Sequence, residues 1–488
     1  MRTFSEVLRE IVNESDLSIY GMAKAVECDR SMLNKVISGD RKINLEMFLN
    51  IYGYLRGYVE TYKLDELYEA FWEEHLGNKE YRIVKYIKQK FKHMKMEEKE
   101  HKNLHKLKLQ ETEVYKYIKA NDIKERAIID RLYEMMCNVI NNNRFVKLYV
   151  HVPVYWKEVM NFLKFAFNIS EVREHIKLVY IHTGYNKEYD SEFTQIANYL
   201  IAYEFSLNGI STYDKNNWCK LEYETELAPY YIISEIEIFF MQKNKCIIDV
   251  DKSQDTYESI ISTVNQMYNE SKRFNNIMAN DNYKKFLINS MNDSSQCINI
   301  SNKLPVKLFC TKEIFNRVIK DECEDKEFLI NTLELYYKNI RGNKCDIMVA
   351  DIEMLNFMNN YSVDEMNFNM KNNDRDTKLE ILKNIYKYYV LNKNSILSIF
   401  NNKKCSIPTD LSIAILSGKK ICSIGYIDIE GRREKALSII ESVEICNHFT
   451  NFYKYITYST GCLNKAEMMM LLDGIINTYK NKGYKEVQ

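Results

Sequence analysis

Apolar residues recur at helical spacing from the fourth position onward. Phe4, Val7, Leu8, Ile11 and Val12 fall at i, i+3, i+4, i+7 and i+8, the stripe of a core-facing helix. A polar break at 13–16 follows, and Ser18 stands at an N-cap position ahead of a second helix whose buried side is Met22, Ala23 and Val26. Asp29 caps a third helix with Met32, Leu33, Val36 and Ile37 turned inward. Gly39 sits at its C′ position, where a left-handed backbone is cheapest without a Cβ. Asn44 opens a fourth helix with Met47, Phe48, Ile51 and Leu55 on one side, and helix continues over 61–143 with an interruption near Gly77-Asn78.

After 141–143 the texture changes. "RFVKLYVHVPV" and "HIKLVYIHTGY" are β-branched and aromatic runs bounded by polar turns, each reading as a strand, with helical spacing from Trp156 to Phe167 between them. A sheet partly covered by helices is expected. Further on, strands are expected at about 230–240 and 245–250 across Gln242 to Asn244, followed by a helix from Thr256 to Phe274. Strands at about 411–416 and 421–429 surround Ser417-Gly418-Lys419-Lys420, with a helix from Arg433 to about Tyr453. Hairpin then helix thus occurs twice, which fits either two related half-domains or coincidence. Helical segments at 312–340 and 376–393 lie between.

Length bears on this picture: single cores stop growing near about 250–300 residues, so 488 residues imply two or three domains. With 68 basic and 68 acidic residues, no global field draws the molecule toward nucleic acid or an anionic membrane. Twelve cysteines are scattered from Cys28 to Cys462 without close pairs, which argues for a reducing cytoplasm. The opening "MRTFSEVLREIV" has no signal-peptide h-region, and runs such as "YYIISEIEIFF" are too short and too charged to span a bilayer. A cytoplasmic protein without a membrane partner is expected. Only 14 Gly and 4 Pro occur, so boundary signals from them are faint.

No strong catalytic signature is present: there is no GxxxxGK[ST], GxGxxG, HExxH, GxSxG or CxxC. The chain is therefore expected not to be an enzyme, with no catalytic residues, metal site or cofactor. Glu97, His101 and His105 share one helical face but lie in a Lys-rich exposed segment, a weak metal set. That segment, 79–108, holds eleven Lys/Arg against four Glu and reads as a solvated face or as a basic helix near phosphates. Cys28 reads as a small apolar filler of its turn, or as a redox handle beside Arg30. Trp156, Trp218 and the many tyrosines read as core or as pocket lining.

The N-terminal segment carries the sharpest pattern. Gly21, Ala23 and Ala25 let two helices approach closely, and the short turn at Glu27-Cys28 sets them at a steep angle. The third helix divides into an inward apolar side and an outward side of Arg30, Ser31, Asn34 and Lys35, donors suited to base edges in a major groove. Residues 4–58, with "SIYGMAKAVECDRSMLNKVISGDRKINLEMF", resemble the Cro/lambda-repressor-type (XRE-like) helix-turn-helix domain. The resemblance maps base reading onto Arg30, Ser31, Asn34 and Lys35, and backbone contacts onto Ser18, Ile19, Ser38, Arg41 and Lys42. Two departures stand out: Glu27 replaces the glycine usual in that turn, and residues 1–58 carry eight basic and eight acidic side chains, which is neutral for a DNA binder.

The expected fold is multidomain: an all-α helix-turn-helix domain (1–60) and a helical connector or dimerisation segment (61–143), then a mixed α+β region (144–488), with subdomains near 144–300 and 301–488. The expected function is a sequence-specific, DNA-binding transcriptional regulator acting as a homodimer on half-sites about 34 Å apart. In this scheme the C-terminal region senses a small-molecule or peptide effector and shifts the spacing of the two heads. The rivals are a protein-interaction factor with a degenerate head, and an enzyme hidden in the α+β region.

Overall fold

In the computed structural model the first four helices begin where the capping side chains stand. The model describes the chain apart from residues 1, 16, 101–107, 119–121, 183–190, 208–209, 215–220, 222–223, 226, 251–253, 272–275, 279–295, 322–325, 360–362, 366–367, 371–373, 393, 406, 409–410, 430–431 and 483–488. Helix α1, Phe4–Glu14, carries a reciprocal Thr3/Glu6 capping box. Ser18 Oγ accepts from Gly21 N at 2.9 Å to open α2, Ile19–Ala25. Asp29 and Asn44 do the same for α3, Arg30–Ser38, and α4, Leu45–Leu55, and α3 ends on Gly39 at φ 89°. Two longer helices follow, α5, Thr61–Leu76, and α6, Asn78–Glu100, hinged at Gly77 (φ 79°). Phe48 of α4 stacks face to face on Phe71 of α5 at 3.7 Å, and Phe4 meets both rings edge-on.

The chain divides into two compact units: unit 1 holds residues 1–95, 293–418 and 446–488, and unit 2 holds 96–292 and 419–445.

Unit 2 begins with α7, Glu111–Tyr117, and α8, Ile123–Asn141. It continues as β1, Val146–His151; α9, Lys157–Asn168; α10, Ser170–His175; β2, Ile176–His182; α11, Ser191–Ser206; and β3, Ser211–Asp214. Then come β4, Tyr230–Ser234; β5, Ile238–Met241; β6, Ile247–Asp249; α12, Gln254–Glu270; and β7, Asn276–Met278. Six strands form one sheet in the order β3-β2-β1-β4-β5-β6. The first three are parallel, and β4, β5 and β6 run antiparallel to their neighbours. Strand alternation sends Leu148, Val150, Leu178 and Ile232 into a core with Leu132, Met136, Phe162 and Leu163 of α8 and α9. Tyr149, Val179, Ile181 and Ile233 face Ile260 and Val264 of α12 on the other side. A sheet covered on both faces explains why these strands read as almost unbroken apolar runs.

The α/β part of unit 1 comprises β8, Gln296–Ser301; α13, Lys312–Val318; α14, Lys326–Gly342; β9, Lys344–Ala350; and α15, Asp351–Asn359. After a short hairpin, β10 (Val363–Glu365) with β11 (Phe368–Met370), come α16, Arg375–Leu391; β12, Leu397–Phe400; α17, Asn402–Cys405; and β13, Ser412–Leu416. Its strands lie in the order β12-β9-β8-β13, the first three parallel and β13 antiparallel to β8. The two units therefore repeat one plan, with strands in the order third, second, first, fourth. In unit 2, β14, Lys420–Ile429, and β15, Arg432–Glu441, form a long antiparallel hairpin, and β7 pairs with β15. Helices α18, Val443–Thr457, and α19, Lys465–Lys482, end the described chain.

The coarse expectation of a multidomain chain, helical first and mixed α+β afterwards, holds. Three local expectations change. The strand expected over 230–240 is two strands, because Ser234 Oγ accepts from Ile236 N (3.2 Å) and Glu237 N (3.0 Å) and closes a tight turn. The helix expected from Arg433 begins only at Val443, since 432–441 pairs along its whole length with β14. The helical stretch expected at 312–340 is divided between α13 and α14. No described helix is long and apolar enough to cross a membrane.

Candidate functional site

Helix α3 turns Arg30, Ser31, Asn34 and Lys35 to solvent while Leu33, Val36 and Ile37 are buried, so the outward set is assembled on one helix. Arg41 and Lys42 are exposed, Ile19 is half-buried, and Ser18 is engaged in capping α2. Ser38 Oγ lies 3.1 Å from Lys35 O and 2.6 Å from an Asp40 carboxylate oxygen, turned toward its own bend. One basic residue that sequence reading passed over braces the end of α3: the Arg9 guanidinium donates to Ile37 O and Ser38 O at 2.9–3.2 Å. Glu27 adopts φ 57°, and Cys28 N donates back to Ala23 O at 3.0 Å, the Schellman closure in which a left-handed C′ residue is required. Burial and the neighbouring Asp29 push the Cys28 thiol up, which favours the filler reading over the redox handle. His101, His105, the Glu97 side chain and Trp218 lie outside the described residues.

In open α/β sheets ligands bind beyond the carboxyl ends of the parallel strands, where the strand order reverses. In unit 2 that place is the end of β1, which has parallel β2 on one side and antiparallel β4 on the other. Both parallel strands end there in a buried histidine, His151 on β1 and His182 on β2, at 4% and 1% exposure. His151 Nδ1 lies 3.0 Å from Ile181 O. A carbonyl only accepts, so in the neutral ring Nδ1 holds the proton and Nε2 the lone pair. The ring packs 5.1 Å from Tyr231 and 5.9 Å from Tyr230. From the loop after β1, Tyr155 OH meets Tyr230 OH at 3.0 Å, and Trp156 sits edge-on to Tyr230 at 5.1 Å. Tyr155 stays 45% exposed and forms the accessible face of this cluster. Complete burial drives His182 down to about 3, so it is neutral at any ordinary pH. It lies edge-on to Tyr180, whose hydroxyl donates to Val152 O at 2.7 Å.

The helix that follows β1 offers no room for an anion. Free amides at such a helix N-terminus ordinarily attract phosphate or carboxylate. Here Glu125 of α8 occupies them, its Oε2 accepting from Glu158 N at 2.9 Å and Val159 N at 3.3 Å. The same carboxylate pairs with Lys245, which also contacts Asp122. Burial and the nearby Glu158 raise the Glu125 carboxyl, and Lys245 opposes them. The edge therefore exposes the Tyr155 phenol over buried rings, with an internal carboxylate where a phosphate would otherwise sit.

No family model matches the chain, and no curated protein matches it. Among solved structures it is similar to the crystal structure of a phosphatidylserine synthase from Haemophilus influenzae Rd KW20, at 9% identity, over 72% of this chain and 92% of that one, with TM-score 0.25. At that score the likeness assigns neither a fold nor an activity. The expectation of a DNA-binding regulator whose C-terminal region moves paired heads is withdrawn. The physical reason lies in unit 1, where the helical head is built into the α/β part. Tyr68 OH donates to Tyr455 O, Arg56 reaches Ser459 O and Cys462 O at 3.4 Å, and Thr460 Oγ1 donates to Asp65 at 2.8 Å. A head bonded this way is not a separately hung reading element.

Proposed function

We propose that the protein binds a neutral, ring-bearing small molecule with hydroxyl groups, the chemistry of a nucleoside, at the carboxyl edge of β1 and β2 in unit 2. The observation that carries this reading is the pair of buried histidines ending two adjacent parallel strands at the point where the sheet changes direction. The exposed Tyr155, over the buried rings of Trp156 and Tyr230, supplies a ring face and a hydroxyl to the ligand. Neutrality follows from the chemistry of the edge: His182 is uncharged, and Glu125 fills the α9 amides. The role is binding, with the expectation of a non-enzyme retained. The resemblance of residues 4–58 to an XRE-type head is taken as one of shape, a helix-turn-helix serving the fold of unit 1; the caps of α2 and α3 and the Glu27 turn support it.

Thermal unfolding of the full chain with adenosine, guanosine, cytidine and uridine, against adenosine monophosphate and glucose, tests the reading. A neutral nucleoside should raise the melting temperature in proportion to its saturation, and Tyr155→Ala should remove the rise. Stabilisation by the monophosphate alone, or by none of the six, would defeat it.

A further inference from the structure

The amino ends of β1 and β2 carry a charge pattern that the ligand edge does not use. The strand runs "VKLYVH" and "IKLVYIH" each place a lysine second, and the parallel register sets Lys147 directly beside Lys177. Lys147 shares the parity of Tyr149, and Lys177 that of Val179 and Ile181, so both lie on the sheet face that α12 covers. Like charges side by side on one sheet face repel, and a carboxylate between them would relieve the repulsion. The chain holds as many acidic as basic side chains, yet among the described residues no carboxylate pairs with either ammonium.

Neutral groups surround the two lysines instead. Asn265 of α12 accepts through Oδ1 from Tyr149 OH at 2.8 Å and from Lys147 Nζ at 3.3 Å. An ammonium only donates, so this contact fixes which end of the amide is the oxygen. The Asn265 NH2 group is left as a further donor, with no protein acceptor among the described residues. One turn on along α12, the Tyr268 ring has Lys147 Nζ 4.9 Å and Lys177 Nζ 5.5 Å from its centroid. Tyr213 and Tyr149 hold that ring in place at 5.6 and 6.1 Å. The place is open to solvent: Lys177 is exposed, and Lys147, Asn265 and Tyr268 are half-buried.

We propose that Lys147 and Lys177, with the Asn265 amide, bind a phosphate group, because the sheet register and the Tyr268 ring hold two ammoniums together where no carboxylate answers them. Two positive charges balance a phosphate dianion, and its several acceptor oxygens match ammonium and amide donors. The group is inorganic phosphate or the phosphate of a small ester, since both present the same oxygens. The site lies at the opposite end of the strands from Tyr155, so it and the neutral-ligand edge stand or fall separately.

The test is isothermal titration calorimetry of the full chain, in chloride buffer at fixed ionic strength, with inorganic phosphate and with glycerol 3-phosphate. At least one of the two should bind saturably; the tighter of them tells whether the occupant is the free ion or an ester. Lys147→Gln and Lys177→Gln should each weaken that binding by about tenfold, and Lys177→Arg should keep it. No saturable binding of either anion, or binding that both glutamine variants leave unchanged, would overturn the assignment. Acetylation of the wild type, mapped by mass spectrometry, decides the matter even if a variant does not fold. Phosphate should slow the modification of Lys147 and Lys177 relative to the exposed Lys243, and equal rates with and without phosphate would count against the site.

Discussion

Glu125 caps a helix that is not its own: Oε2 accepts from the amide of Glu158 at 2.9 Å, across 33 residues of chain. A charge placed by one helix on the N-terminus of another needs its counter-ion, and Lys245 supplies it. Glu125→Ala should therefore cost about 2–3 kcal/mol in urea unfolding, since it strands two amides and half of an ion pair. Sulfate should recover part of the loss in the variant and leave the wild type unchanged, because the emptied amides form an anion site. Equal effects of sulfate on both proteins would show that Glu125 does not occupy that terminus.

His182 makes stability depend on acid. Its folded value, about 3, lies below the ordinary histidine value, so between about pH 6.5 and pH 3 the unfolded chain binds the extra proton. Stability should fall as pH drops through that window, by up to about 1.4 kcal/mol per unit from this group alone. Subtracting the pH profile of His182→Gln from that of the wild type isolates the contribution. A flat difference would place His182 in contact with solvent.

Glu27 pays a conformational cost that glycine would not, with φ 57° at the C′ position of α2. Its side chain is exposed, so little packing is lost on removing it. Glu27→Gly should raise unfolding free energy by about 1 kcal/mol, read from chemical denaturation of unit 1. A loss of similar size would mean that the turn is not left-handed.

How much of this was legible depends on how local its cause is. Ser18, Asp29, Asn44 and Gly39 act on amides and carbonyls within a few residues, and all four were readable as caps. So was the oddity of Glu27. Strands β8, β9 and β12 were passed over because "QCINIS", "KCDIMVA" and "LSIF" are short buried runs without a two-residue period. In 432–441, Ala436, Leu437, Ile439 and Ile440 fit helical spacing as well as a strand, and only pairing with β14 decides. The candidate site has one signal that was not used: "LYVH" and "VYIH" end two strand-like runs in the same way, which would put His151 and His182 at equivalent ends. The cap by Glu125 and the approach of Tyr230 to the β1 loop join residues far apart in sequence, and periodicity carries no trace of such pairings.

The ligand site is tested most directly at its exposed ring, by isothermal titration calorimetry of the full chain with adenosine in the wild type and in Tyr155→Ala. The account predicts saturable binding by the wild type that Tyr155→Ala abolishes. No binding by the wild type, or equal binding by the two proteins, would contradict it.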